Sequence, residues 1–412
     1  GAAPAPALTN IPHPRTPDIT LRFSFPIDIS PRGSSTAEVD HPRPHHTFVF
    51  ATTEFGNVST PYMMAPGQDL TQISDSVTLV TPSNWSRTGF LNAGVPPDRV
   101  VVLPHGVDRA MFGLHATARR AETRRRYFGK KQDGASADQQ ADKKSDGLTI
   151  FVAVGAMTAN KGIEDVLRAF IAIHQEDTTT RLLLKGHDAL YKSGDLVARL
   201  MGHVNGAAEL YHSKVIRYEG RSLERGTLIE LVCSADIYLS PYRAEGFNMP
   251  AQEAAACGLL VIASSPMGTG GTRADADATL ADDRTPPYSG MAPTDEYCHP
   301  SFCVRIRAKV VPVLFLGHQL GFQMMPEPGA VLEAIRKALQ RKDDKHSIGA
   351  LESARLAGPA WQERSHTWED VATTFLRDIV NDRVTVRPRL RIVEKKEDIV
   401  VVLPPSENSD SG

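Results

Sequence analysis

From Leu148 to Ser265 the chain alternates short apolar runs with amphipathic stretches. The runs "LTIFVAVG", "TRLLLKG", "KVIRYEG", "DIYLSP" and "LLVIASS" read as strands. "IEDVLRAFIAIHQ", "ERGTLIELVCSA" and "PAQEAAACG" read as helices. Uninterrupted apolar runs mean strands buried on both faces, as in parallel sheets. Strand–helix–strand order means right-handed crossovers. This half is therefore expected to be a Rossmann-like α/β domain. Its loops "AMTANKG", "HDALY" and "YRAEGFNM" follow strands, and so fall at the sheet's carboxyl edge, where such folds bind ligands.

The first half is less regular. Residues 1–46 are rich in Pro, Ser and His, with one strand-like run, "DITLRFSFPID". "HTFVFATTEF" suits a buried parallel strand. "SVTLVTPSNWSRTGFLNAGV" reads as strand, turn and helix, with Ser83 as N-cap and Gly94 as C′ stop. "DRVVVLPHGVD" is another buried strand with a loop. Residues 118–147 read as a helix followed by a disordered or inserted loop, and 268–294 as a surface insertion. "VVPVLFLGHQLGF" reads as a buried strand and its turn. Helices return in "PGAVLEAIRKALQRK" and "SHTWEDVATTFLRDIV", and the tail has two strand-like runs before a disordered end. The expected division is 1–105, a partial first domain; 106–147, linker and insertion; 148–365, a ligand-binding Rossmann-like domain; and 366–412, a returning helix and tail.

Composition excludes some roles. The chain has 412 residues and a formal net charge of −2, so nothing suggests a nucleic-acid footprint. No apolar run reaches the roughly 18 residues that span a bilayer, which leaves peripheral membrane contact open. A cytoplasmic location is the default. The chain starts with Gly rather than Met and lacks a signal-peptide pattern, so it reads as processed or truncated at its start. The sequons at Asn57 and Asn84 are treated as chance matches. Four cysteines in this length are no disulfide framework. Cys257 reads as a small buried apolar residue. Cys298, His299 and Cys303 could begin a metal set, but no second Cys/His pair completes it; the structural reading is favoured and no metal is expected.

The stretch "YRAEGFNMPAQEAAACG" carries the chemistry. Pro250 suits the first helical position. The free N–H groups of that turn, with the helix dipole, make an anion site. Gly246 lets backbone approach a ligand closely. Glu245 then hangs just before the anion site, and Glu253 lies about one turn inside the helix. Two acceptor carboxylates beside a phosphate site suit a sugar nucleotide.

Here the sequence resembles the retaining GT-B glycosyltransferases of the group-1 (GT4) type. Their donor-binding element, Glu-Gly-Phe-Gly-x-Pro-x-x-Glu-Ala-x-Ala-x-Gly, reads "EGFNMPAQEAAACG" here, with Asn248 in place of the second Gly. Further matches follow in family order: "VTPSNWSRTGFLNAGVPPDRVVVLPHGVD", "FVAVGAMTANKGIEDVLRAF" and "HTWEDVATTF". The resemblance runs from about Phe48 to Val380. It implies two Rossmann-like domains facing a cleft, the first apparently truncated. It implies that Glu253 binds the donor ribose and Glu245 the transferred sugar, with Gly246, Phe247, Asn248 and Met249 lining sugar and phosphates. Lys161 would contact the diphosphate, near Gly155 and Ala156. Lysine and helix N-terminus would then stabilise the leaving nucleotide. The donor would be UDP- or GDP-linked, no cofactor is expected, and the glycan, lipid or protein acceptor is open.

There are departures. The family usually has arginine where Ala156 stands. Losing one charge-assisted contact costs about 1.5–3 kcal/mol, and Arg243 or Lys185 could substitute. No Gly-rich loop or acceptor-site histidine precedes Ser83, so Thr53 and Glu54 are the acceptor-side candidates. Asp295 and Glu296 could approach the donor. The expected activity is sugar transfer with retention. Its rivals are an inactive nucleotide-sugar-binding or regulatory protein, and a pyridoxal-dependent phosphorylase, for which no Schiff-base lysine is marked.

Overall fold

The computed structural model describes residues 19–31, 46–58, 63–129, 147–266, 292–315, 318–340, 350–380, 383, 391–394 and 399–402. The loop at 130–146 and the insertion at 267–291 lie outside the described residues, as do 1–18 and the end of the tail.

The first half contributes β1 (Ile19–Phe23), β2 (His46–Phe50), β3 (Val77–Thr81), α1 (Asn84–Asn92), β4 (Val100–Val102) and α2 (Arg120–Phe128). β1 to β4 are parallel neighbours in chain order. α1 starts where Ser83 accepts a hydrogen bond from the Ser86 N–H, and Gly94 follows it at φ +92°. Both ends agree with the cap and stop expected from sequence.

The second half opens with β5 (Thr149–Val154), α3 (Ile163–Glu176) and β6 (Thr180–Lys185). α3 buries Ile163, Val166, Leu167, Phe170 and Ile173, the spacing of one helical face, and carries Glu164 and Asp165 in its first turn. Next come α4 (Asp188–Tyr191), α5 (Ser193–His203), α6 (Ala207–His212) and β7 (Ile216–Glu219). The "HDALY" segment, expected as a loop, is thus a helical turn, capped by the His187 ring accepting from the Leu190 N–H. The chain continues through α7 (Arg225–Cys233), β8 (Ile237–Ser240), α8 (Met249–Ala256) and β9 (Leu260–Ser265).

β10 (Cys303–Phe315) and β11 (His318–Pro326) follow as an antiparallel hairpin. This corrects the reading of "VVPVLFLGHQLGF" as a buried strand and turn. Only Cys303–Arg307 lies beside β9, in parallel register. Beyond that the hairpin projects, and Leu314 is 67% exposed. An apolar run is buried only as far as a neighbouring strand and helix cover it.

α9 (Ala330–Gln340), α10 (Ala350–Ser365) and α11 (Trp368–Thr374) lead to a π-helical segment, Phe375–Val380. β12 (Arg391–Glu394) and β13 (Ile399–Val402) then return to the first sheet, β13 antiparallel to β1. The sheets have the orders β12-β13-β1-β2-β3-β4 and β11-β10-β9-β8-β5-β6-β7. The chain passes between the halves twice, side by side: the Val107 N–H donates to the His366 carbonyl at 2.8 Å.

In the second sheet β5 stands between β6 and β8, so the winding reverses there. The loops after β5 and β8 flank the crevice that such a reversal opens. Under them lies the main core. Phe170 is fully buried and meets Phe151 edge-on at 5.9 Å. Trp85, from α1 of the first half, is buried in this same cluster.

Cutting Phe170 to Ala removes a ring from this close-packed layer. Urea unfolding should show a loss of about 3–5 kcal/mol, with the pair-neighbouring Phe151→Leu costing clearly less.

Candidate functional site

Two loops build the site. After β8 the chain runs from Pro241 to Asn248 before α8 begins. Asn248 adopts the left-handed conformation, φ +70°. Of the non-glycine residues, Asn is among those that tolerate it best, which accounts for Asn where the resembling family has Gly. Its side-chain amide donates to Ser240 Oγ at 3.0 Å instead of capping α8. The first-turn N–H groups of α8 therefore have no side-chain cap, and Pro250 removes one of them.

The loop after β5 contains Gly155, Ala156, Asn160 and Lys161. Gly162 ends it at φ +65°, and a Cβ there would lie 2.1 Å from the Pro241 carbonyl oxygen. That closeness couples the two loops. The Asn160 carbonyl accepts from the N–H of Arg243 at 2.6 Å and of Ala244 at 3.3 Å. Lys161 Nζ donates to Glu245 Oε1 at 2.7 Å, with its stem beside Gly155. Burial pushes the Glu245 carboxyl up, and Lys161 pulls it back. Glu253 lies one turn into α8 without an ion-pair partner among the described residues. Burial lifts its pKa to about 7, with Arg225 opposing. The charges of both glutamates bear on Tyr238, which burial also pushes up. The structure thus gathers Lys161, Glu245, Glu253 and the start of α8 around the carboxyl ends of β5 and β8.

The other residues singled out from sequence fall as follows. The Gly155 N–H donates to the Lys185 carbonyl, and the Ala156 carbonyl accepts from Ser193 Oγ at 2.7 Å. Arg243 is held by Asp165 at 3.0 Å. Lys185 Nζ donates to the carbonyls of Gly186 and Arg221. Both are therefore engaged by protein groups in this arrangement. Phe247 is buried between the rings of His105 and Tyr297, each 5.0 Å away, so its side chain lies beneath the loop. Met249 is partly exposed beside it.

The first half supplies the opposite wall. Thr53 is fully buried, and its hydroxyl donates to the Asn57 carbonyl within its own turn. Glu54 faces across: Oε2 accepts from Asn160 Nδ2 at 2.9 Å, and Oε1 lies 3.9 Å from Lys161 Nζ. Ser83 Oγ donates to the Gly246 carbonyl at 2.6 Å. A Cβ on Gly246 would sit 2.1 Å from Thr52 Oγ1. Glu296 accepts from the Asn84 N–H and amide at 2.7 and 3.0 Å, so it ties the halves together, while Asp295 pairs with Arg305. Asn160, Thr52, His105 and Tyr297 carried no signal from sequence beyond turn or core composition.

The cysteine reading needs correction. Cys233 is bonded to Cys257, and Cys298 to Cys303. The Cα separations of 5.4 and 5.7 Å are ordinary for disulfides. Cys257 is buried as expected, but its partner stands 24 positions earlier, on α7. The His299 ring lies on Trp361 at 4.3 Å, so the Cys298–His299–Cys303 trio does not assemble as ligands.

Two predictions follow from this geometry. In Gly246→Ala the new methyl must displace Thr52. Unfolding should show a loss of about 1–3 kcal/mol, and Thr52→Gly in the same chain should recover part of it, as coupled neighbours do. For Glu253, the folded pKa of about 7 lies above the ordinary 4.5. The folded state then holds an extra proton between those values. This contribution is full below about pH 4.5 and is lost as pH rises through 7. Glu253→Gln should flatten the fall in stability between pH 5 and pH 8, measured by urea titration.

Residues 149–286 match the family described as Glycosyl transferases group 1. A search of curated proteins finds no match. Among solved structures the chain is similar to a glycosyltransferase from Rickettsia africae ESF-5, with TM-score 0.53, 14% identity, and 83% of this chain and 72% of that one covered. It is similar to Anabaena HepE in complex with UDP and glucose, at 0.52, 12%, 81% and 70%. It is also similar to the sucrose-phosphate synthase of Thermosynechococcus elongatus, at 0.52, 15%, 83% and 69%. At such identities the likeness concerns the fold. The chain has the GT-B fold, and residues 149–286 within its second half match a group 1 glycosyltransferase domain.

Proposed function

We propose that this protein transfers a sugar from a nucleotide-sugar donor to an acceptor, with retention of configuration and without a cofactor. The observation that carries the reading is the Lys161–Glu245 pair at the topological reversal, beside the uncapped start of α8. Departure of a nucleoside diphosphate leaves two developing negative charges. An ammonium and a helix N-terminus fixed beforehand stabilise that charge without reorganising. Glu245, freed from Lys161 by the incoming phosphates, accepts hydroxyls of the transferred sugar. Glu253, without an ion-pair partner among the described residues, accepts the vicinal hydroxyls of a ribose. Attack from the face the leaving group departs retains configuration, with the departing phosphate taking the acceptor's proton. Neither glutamate then serves as nucleophile or acid, unlike the paired carboxylates of hydrolases. Closing the halves over the donor excludes water that would otherwise hydrolyse it. The structural likeness to a protein solved with UDP and glucose supports a uridine nucleotide.

A second reading is a donor-binding protein with little transfer activity. It is favoured by Ala156, since Arg243 and Lys185 are both held elsewhere. Calorimetric titration of UDP, GDP and ADP into wild type and Glu253→Ala tests the donor site. One nucleotide should bind at micromolar Kd, and the variant should lose at least tenfold, the worth of a charge-assisted hydrogen bond. Failure of all three to bind overturns the donor reading. Binding without turnover of the matching nucleotide sugar, over a panel of sugar acceptors, favours the second reading.

A further inference from the structure

The wall facing the donor loops is acidic where it meets them. Glu54 follows β2, at the carboxyl edge of the first sheet, and its side chain is 42% exposed. Three contacts fix its position. Trp85 Nε1 donates to its carbonyl at 2.8 Å. Asn160 Nδ2 holds one carboxylate oxygen at 2.9 Å, and Lys161 Nζ stands 3.9 Å from the other. Lys161 is already neutralised by Glu245 at 2.7 Å. Two carboxylates thus share one ammonium, and the excess charge is negative. The neighbouring cations do not change this. Arg243 holds Asp165, Arg305 holds Asp295, and Lys185 is buried against carbonyl oxygens.

We propose that Glu54 determines acceptor specificity: its carboxylate receives a hydroxyl or ammonium of a neutral or cationic sugar and disfavours a phosphorylated one. The inference rests on the donor reading above. When a donor diphosphate draws Lys161 away from Glu245, it adds negative charge next to Glu54. A second phosphate brought by the acceptor would then face a carboxylate across a few ångströms, and like charges at that range repel strongly in a half-buried cleft. A hydroxyl or an ammonium meets an acceptor oxygen instead, and the bond to a charged partner is the stronger kind. Asn160 is the positioning residue: its amide holds Glu54 while its carbonyl holds the loop that carries Glu245.

The test uses the full chain saturated with UDP, with glucosamine and glucose 6-phosphate titrated in and followed by saturation-transfer NMR. Glu54→Gln keeps the shape and the bond from Asn160 but removes the charge. Wild type should bind glucosamine at least tenfold more tightly than glucose 6-phosphate, and Glu54→Gln should remove most of that ratio. Equal or tighter binding of glucose 6-phosphate by wild type overturns the inference. So does an unchanged ratio in the variant, or no binding of either sugar to the UDP complex. Failure of UDP itself to bind is a different result, and it overturns the donor reading on which this rests.

Discussion

Gly246 has no room for a side chain, because the Thr52 hydroxyl occupies the place where its Cβ would stand, and its carbonyl is taken by Ser83. The carboxyl edges of the parallel strands in the two sheets approach most closely at this backbone position. The remaining contacts across the cleft follow from that spacing. Asn160 can reach Glu54, Glu296 can reach the start of α1, and Trp85 can sink into the core of the other half. Each is a hydrogen bond to a carboxylate or a buried ring, and together they hold the halves at this distance.

The α/β architecture was legible because parallel strands buried on both faces write uninterrupted apolar runs, and because α3 repeats its apolar residues at helical spacing. The ends of α1 were legible because Ser83 and Gly94 do local chemistry. Glu245, Glu253 and Lys161 stood out through the resemblance of their segments to a family's donor-binding elements, since the spacing of the two glutamates alone is a weak signal. What could not be read depends on partners far away in sequence. Glu54 and Asn160 are 106 positions apart. The Cys233–Cys257 bond joins two helices that the alternation alone does not place side by side. α5 and α6 were missed in a stretch of mixed polar and apolar residues, where α6 packs against α3 and β7 and α5 packs on α6. The projecting half of the β10–β11 hairpin looked buried because hydrophobicity records composition and not whether a neighbour is present.

Charge in the cleft centres on one ammonium, Lys161, that lies between Glu245 and Glu54. A buried ammonium or carboxylate is costly alone, and pairing Lys161 with Glu245 offsets that cost. Under the proposed function, a donor diphosphate takes over Lys161 and leaves Glu245 for hydroxyls. Ala156 offers no charge beside Lys161, and Arg243 is paired with Asp165 on α3. Under the proposed function, the donor-side electrostatics then rest on Lys161 and the start of α8.

The hairpin has a consequence of a different kind. β11 ends the second sheet, and an edge strand presents unpaired amides that invite another strand to add on. Here the outward amide of Phe322 is given to the Phe55 carbonyl and that of Met324 to the Arg243 carbonyl, at 2.6 Å each. The two walls of the cleft cover the edge of the sheet. A movement that parts the halves would free the Phe322 amide, while the Met324 bond, made within the second half, would keep the rest of the edge covered.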